Sequence, residues 1–196
     1  ISIDTETSSL DPQVAELIGI SLSYAENISF YIPVGHKNLK GLNKDFVVKK
    51  LKPILEDPSI KKVGQNIKYD FIILKKYGVE LNSVEDTMLL SYTLDAGNNR
   101  HNMDTLSELH LNHKTISYKD LVGSGKKQLK FSEVDIDKAT EYAAEDADVT
   151  LRLYEILSER VSDEKLSQIY EAFEKPMIKI LSCLLYTSPS PRDMTG

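Results

Sequence analysis

Apolar positions in the first third of the chain come in short bursts separated by turn-formers. Ile1-Ser2-Ile3 is followed by Leu17-Ile18-Gly19-Ile20-Ser21-Leu22 and then by Ile28-Ser29-Phe30-Tyr31-Ile32. Ser8, Ser9, Asp11 and Pro12 lie in the first gap, and Glu26-Asn27 in the second. Runs of this length, rich in β-branched and aromatic residues and bounded by such breaks, predict three strands joined as a meander. From Asn43 the period lengthens. Phe46, Val47, Leu51, Ile54 and Leu55 recur at helical spacing until Pro58. Lys61 to Gly64 predicts a short fourth strand, and Tyr69, Ile72, Ile73 and Lys76 place a helix over 66–77, stopped by Gly78. Helices are expected at about 86–95 and 104–111, a loop over 113–135, a long helix over 137–160, and a last amphipathic helix over 163–181. A strand meander followed by helices and one further strand implies an α/β fold with a mixed sheet.

The tail breaks this pattern. Cys183-Leu-Leu-Tyr-Thr-Ser-Pro-Ser-Pro-Arg-Asp193 resembles translated sequencing-adaptor DNA, so the last helix is expected to give way at Ser182 and residues 183–196 to lie outside the domain. The opening Ile1-Ser2-Ile3 begins inside a strand-like run, as expected of a chain cut from something longer.

Composition narrows the class. A chain of 196 residues is long enough for one domain with a sizeable core. Its 41% hydrophobic and 28% charged content is that of a globular protein. Nothing approaches the ~20 apolar residues of a membrane span. The single cysteine, Cys183, excludes an internal disulfide and points to a reducing compartment. With 30 acids against 24 bases, the net charge of −6 argues against a protein that coats nucleic acid non-specifically. A small site where carboxylates hold cations, and cations hold phosphate, remains open.

Three acidic clusters could build such a site. Asp4 and Glu6 are two apart, which on a strand puts both carboxylates on one face. Buried there, they would need neutralising, and hard divalent cations such as Mg²⁺ suit carboxylate oxygens. Alone, the pair reads first as a strand end facing water. Asn66 and Asp70 are one helical turn apart, and so are Tyr142 and Asp146. Taken singly, Asn66 reads as an N-cap with Asp70 solvated, and Glu145 and Asp148 as solvated or capping acids.

The joint order of these clusters carries more than any one of them. Asp-x-Glu on a first strand, Asn-x-x-x-Asp on a helix after a later strand, and Tyr-x-x-x-Asp on a late long helix resemble the three motifs of DEDD exonucleases, tyrosine subclass. The wider stretches Asp4-Thr-Glu-Thr7, Val63-Gly-Gln-Asn-Ile-Lys-Tyr-Asp70, Asp86-Thr-Met88, His113-Lys-Thr-Ile116 and Tyr142-Ala-Ala-Glu-Asp-Ala-Asp-Val-Thr150 resemble the 3′→5′ proofreading exonuclease domains of bacterial DNA polymerase I, the family A polymerases. Phe173-Glu-Lys-Pro-Met-Ile-Lys-Ile-Leu181 is similar to the segment leading into the polymerase domain of that family.

The resemblance implies a ribonuclease-H-like fold with a mixed five-stranded sheet flanked by helices. It divides the chain into an exonuclease domain over 1–165, a helix over 166–182 leading to a polymerase domain, and the tail 183–196. Asp4, Glu6, Asp70 and Asp146 would hold two divalent metal ions about 4 Å apart, Mg²⁺ first with Mn²⁺ or Zn²⁺ as alternatives. Tyr142 would orient the attacking water. Leu10 and Tyr118 match positions that wedge and stack against terminal bases, Tyr118 standing where phenylalanine is expected. Thr5, Asn66 and Tyr69 would contact the terminal nucleotides, and Lys126, Lys127 and Lys130 either touch phosphate or form a solvated loop. The substrate would be a single-stranded DNA 3′ end, processed by a monomer with its polymerase domain in the same chain, without a membrane, in the bacterial cytoplasm at the nucleoid. Two rivals follow from the same motifs: a stand-alone exoribonuclease of the tyrosine subclass, and a non-catalytic scaffold.

Overall fold

In the computed structural model, which describes residues 1–37, 39 and 42–187, the meander forms as three antiparallel strands, β1 (Ser2–Thr7), β2 (Leu17–Ala25) and β3 (Ile28–Pro33). Strand β4 (Lys62–Gly64) then pairs parallel with β1, and β5 (Val84–Asp86) parallel with β4. The sheet order is β3-β2-β1-β4-β5, mixed as expected, with β1 at its centre. Strand β5 has no signal in the hydrophobic pattern. Three residues are too few to show a period, and Glu85 and Asp86 are both acids buried in that strand.

Helices cover both faces. Helices α1 (Lys44–Glu56) and α2 (Lys68–Lys76) lie on one side, where Val47, Val48, Leu55, Ile73 and Leu74 join Ile3, Leu17 and Ile20 in one core. The long α6 (Ile136–Asp163) crosses the other side, against β1, β2 and β3. Its Val149, Leu153, Leu157 and Val161 pack with Leu90 of α3 (Thr87–Asp95) and Leu106 of α4 (Met103–Leu111). Removing such side chains from water stabilises by roughly 1.5–3 kcal/mol each. Asp135 starts α6 by accepting from the amides of Asp137 and Lys138, which satisfies donors the first turn leaves open.

The expected loop over 113–135 contains a five-residue helix, α5 (Tyr118–Val122), and two single 3₁₀ turns at Gly125–Lys127 and Phe131–Glu133. Gly123 and Gly125 take positive φ of 78° and 70°, which lets the chain turn sharply between them.

The end of the chain corrects one expectation. Helix α7 (Ser167–Ile169) runs through a π turn at Tyr170–Glu174 into α8 (Lys175–Thr187), so the helix continues past Ser182 through five residues assigned to the tail. Adding Cys183-Leu-Leu-Tyr-Thr to an existing helix fixes one residue per new hydrogen bond, without a new nucleus to form. Gln13 also donates to the Leu185 carbonyl at 2.6 Å. The remaining expected tail, 188–196, lies outside the described residues. Residues 166–182 join the domain: Tyr170 and Ile178 are each at least 97% buried, in two different cores.

On β2, Gly19 sits beneath the Tyr31 ring, and a Cβ there would lie 2.2 Å from the tyrosine hydroxyl oxygen. The ring cannot retreat, because it meets Phe131 and His36 edge-on and its hydroxyl bonds His36 Nε2 at 2.8 Å. Gly19→Ala is expected to destabilise by about 1–3 kcal/mol, lowering the melting temperature by roughly 2–10 °C in a scanning calorimeter. An unchanged melting temperature would show that the Tyr31 cluster yields.

Candidate active site

Strand β1 distributes the site between its two faces. Ser2, Asp4 and Glu6 point toward α6, where the Ser2 hydroxyl bonds the Ala147 carbonyl at 2.6 Å. There Asp4, Glu6 and Asp146 bring one ligand oxygen each within 4.8 Å of one another. Thr5 and Thr7 point the other way, toward α2. The Thr5 amide and hydroxyl both donate to Asp70 Oδ1, at 2.9 and 2.6 Å, and Thr7 Oγ1 meets the Tyr69 hydroxyl at 2.5 Å. Asp70 thus reaches the acid group from the opposite side of the strand, close enough for the Asp4 charge to raise its cost of ionising. The four acids converge, three in a tight group and Asp70 beside it.

Their electrostatics are severe. Burial first, then the charges of Asp4, Asp146 and Asp70, hold Glu6 well above the usual carboxylate range. Burial and then Asp4 do the same to Asp70 and Asp146, opposed in part by the Thr5 donors and by the Tyr142 hydroxyl. Burial pushes Asp4 up to about 6, against the Thr5 amide, which lowers it. Among the described residues no ion pair includes any of the four. A protonated cluster or a cation-filled one are the two ways to hold these groups together, and an all-carboxylate donor set suits hard divalent cations. The site therefore fits the metals implied above.

A cavity of about 660 Å³ opens over the acids. Thr5, Leu10, Asn66, Tyr69, Tyr118 and Tyr142 all line it. Leu10 stands 94% exposed at the rim. The Tyr118 ring is parallel to that of Phe131, with centroids 6.4 Å apart, and meets Tyr142 edge-on at 5.9 Å. Tyr142, one turn before Asp146, keeps its proton tightly because of burial and then the neighbouring Asp146 charge. Lys130 lines the cavity; Lys127 does not, and the Lys126 side chain lies outside the described set.

Two expected contacts take a different form. The Thr5 hydroxyl is occupied by Asp70, and the Tyr69 hydroxyl by Thr7 and the Ser9 carbonyl, the latter at 2.5 Å. Both residues are committed to shaping the wall. Asn66 is no N-cap: it adopts left-handed φ of 61°, which asparagine tolerates, and its side chain is bonded by Lys68. The cap comes from Asp86, whose carboxylate accepts from the amides of Asn66 and Ile67 at 3.0 Å each and from Met88 at 2.9 Å. Asp86 directly before a helical run was a readable N-cap signal, but its grip on a segment twenty residues earlier was not. Phe131 also escaped notice, since a lone aromatic in an irregular stretch has no period. Glu145 and Asp148, read as solvated or capping acids, are both engaged. Glu145 meets His113 and Ile116, and Asp148 accepts from the Asn27 amide and pairs with Arg152.

With this geometry in view, the sequence matches the 3′-5′ exonuclease family over residues 1–162. The chain belongs to that family. It is 46% identical over 202 residues to DNA polymerase I of Rhizobium leguminosarum, covering 93% of this chain and 20% of that protein. The exonuclease fold is shared with the Pol1 structure of M. smegmatis, at a TM-score of 0.70 and 17% identity over 93% of this chain and 27% of that one. It is also shared with Brucella melitensis NrnC bearing Mg²⁺, at 0.64 and 23% identity over 95% and 81%. The chain corresponds to the 3′-5′ exonuclease domain of DNA polymerase I and spans about a fifth of the length of the curated relatives it matches. No described helix is long and apolar enough to cross a membrane.

The raised carboxyls make a prediction about pH. A carboxyl raised in the folded state holds protons that the unfolded chain has released, so its contribution to stability falls as pH climbs from about 4 through the folded value. In metal-free buffer, Asp146→Asn should therefore raise the melting temperature, by a margin that grows from pH 5 to pH 8. Added Mg²⁺ should stabilise the parent more at pH 8 than at pH 5, because cations then take the place of protons. A margin that shrinks with pH would contradict the buried-repulsion account.

Proposed function

We propose that this domain removes nucleoside 5′-monophosphates one at a time from single-stranded DNA 3′ ends, as the proofreading part of a bacterial cytoplasmic DNA polymerase working at the nucleoid. The observation that carries this reading is the convergence of Asp4, Glu6 and Asp146, with Asp70 alongside, at the floor of a cavity whose rim is apolar and aromatic. The 46% identity to a DNA polymerase I favours DNA ends as the substrate.

Asp4, Glu6, Asp70 and Asp146 would hold two divalent cations, Mg²⁺ first; the Mg²⁺ carried by NrnC supports that choice. Bound there, such ions lower the pKa of a water and neutralise the phosphate and the leaving oxygen. The chain's own residues do the rest. Four carboxylates and two dications sum to zero charge, so the floor accepts an anionic strand end in an acidic protein. Thr5 locks one oxygen of Asp70 with two hydrogen bonds, and Asp70 lines the cavity. Tyr142 holds its proton too firmly to act as a base. Its hydroxyl orients the water whose oxygen attacks phosphorus as the bond to the 3′ oxygen breaks.

Leu10 and Tyr118 take the terminal bases, the first as a wedge and the second as a stacking face. Stacking reads no hydrogen-bond pattern, which suits sequence-blind removal, and is worth roughly 1–3 kcal/mol per base. Asn66 contacts the terminal nucleotide, Tyr69 and Thr5 shape its wall, and Lys130 meets strand phosphate.

Nucleotide release from a labelled single strand at saturating Mg²⁺ tests the assignment. Asp146→Ala should nearly abolish excision. Tyr142→Phe should slow it by about 2–4 kcal/mol, roughly 30- to 10³-fold, with similar affinity for the strand. Near-parental activity in Asp146→Ala would remove the site assignment, and a Tyr142→Phe enzyme as inactive as Asp146→Ala would give the tyrosine a larger role than orientation. Tyr118→Ala should act mainly on KM. Faster excision of RNA than of DNA 3′ ends would favour an exoribonuclease.

A further inference from the structure

Helix α6 carries two adjacent carboxylates that face different neighbours. Asp146 faces the acids of β1. Glu145, about 100° further round the helix, faces the stretch 112–117, which forms neither helix nor strand. One Glu145 oxygen meets His113 Nε2 at 2.8 Å, and the other accepts from the Ile116 amide at 2.6 Å. The carboxylate is shielded, with 17% of its side chain exposed. Two residues after Ile116, Tyr118 opens α5.

The far side of the same stretch is tied to α4. Ser107 donates to the His113 carbonyl at 2.8 Å, and Thr115 to Asp104 at 2.7 Å. Those bonds hold the stretch to its own neighbour, not to the catalytic floor. Glu145 ties it to the helix that carries Asp146 and Tyr142. Tyr118 is then held at its ring by Phe131 and Tyr142, and at its backbone approach by Glu145.

We propose that Glu145 is a positioning residue for substrate: it sets the height of the Tyr118 stacking face above the carboxylates, so that a base resting on the ring places its 3′ phosphate over the floor. This rests on the reading of Tyr118 as a base-stacking residue. Glu145 makes no hydrogen bond to the acid group, though its charge adds to the cost of ionising Asp146, and it acts on substrate through Ile116 and the short path to Tyr118. The role is geometric, so charge is dispensable. A glutamine can accept from the Ile116 amide through its oxygen and donate to His113 through its nitrogen, once His113 keeps its proton on Nδ1.

The test uses the full chain, Mg²⁺ and a single-stranded oligodeoxynucleotide, with kcat and KM measured for parent, Glu145→Ala, Glu145→Gln, Tyr118→Ala and the Glu145→Ala/Tyr118→Ala double variant. Glu145→Ala should raise KM by about 3- to 10-fold with kcat within about 2-fold, a part of what full loss of stacking costs. Glu145→Gln should restore the parental KM. The double variant should match Tyr118→Ala alone, since a lost ring has no height to set. Should Glu145→Ala fail to fold, His113→Ala, which removes one of the two bonds, should raise KM in the same direction.

An unchanged KM in the folded single variant, beside a raised KM in Tyr118→Ala, overturns the inference and leaves the stacking reading intact. Additive effects in the double variant overturn it as well. So does a fall in kcat with a higher Mg²⁺ requirement, which would place Glu145 behind Asp146. An unchanged KM in Tyr118→Ala overturns the stacking reading, and the inference with it.

Discussion

Mutual repulsion among four carboxylates, three of them buried and Asp4 half-buried, is the constraint to which the rest of this domain is fitted. Asp4, Glu6, Asp70 and Asp146 come from the central strand and from a helix on each face of the sheet, and among the described residues none of the four is in an ion pair. Left to itself, such a group would separate or stay protonated. The fold prevents separation by seating two of the acids on the most enclosed strand of the sheet, between two cores. The cost is a local instability built into the folded chain, offset by the apolar burial of α1, α2 and α6 around it. Sites that bind cations through carboxylates are commonly destabilising in this way when empty.

The alternation of β1 is what makes the geometry work. Because successive side chains leave a strand on opposite faces, one six-residue segment reaches both helices at once. Its even residues place carboxylates against α6, while Thr5 bonds Asp70 from the other face. A slip of one residue in this strand would turn the acids into the Ile3 core and aim apolar groups at the cavity, so the register is enforced from both sides. Pairing with β2 on one edge and β4 on the other fixes it further.

A second set of contacts builds the upper wall. Phe131, from an irregular stretch, is 2% exposed and meets Tyr31, His36, Tyr118 and Tyr142. Tyr31 in turn covers Gly19 on β2, so the Tyr118 ring is stacked on a column that reaches down to the sheet. The floor and the wall meet in α6. Tyr142, Glu145 and Asp146 lie within a little over one turn, and serve the aromatic wall, the irregular stretch and the acid group respectively. On the other side Asp86, held by the Tyr170 hydroxyl at its amide, anchors the Asn66 turn ahead of Asp70. The helix from Ser167 onward is thereby part of the support of the site.

Much of this was legible in the residues themselves. Strand and helix periods located the meander, α1, α2 and the long α6, because each has a face that must be buried and the period follows from backbone geometry. The i, i+2 acids and the two i, i+4 pairs were readable for the same reason, and their order along the chain marked the family. What lacked a period was invisible: the three-residue β5, the 3₁₀ turn bearing Phe131, and the helix running on past Ser182. Capping chemistry was misplaced for a related reason. Asn66 has the composition of an N-cap, but a carboxylate brought next to it by the parallel pairing of β4 and β5 does the work. The hydrogen bonds of Thr5, Tyr69, Asp86 and Glu145 are visible only in three dimensions. Each runs to a partner twenty to sixty-five residues away, or across a gap between elements, and no local pattern encodes which of several polar side chains will be next to it. Sequence determined which faces are buried and which residues carry charge. Tertiary structure decided which of those charges meet, because burial is a property of a residue and its period, while a contact belongs to two segments that only the folded chain brings together.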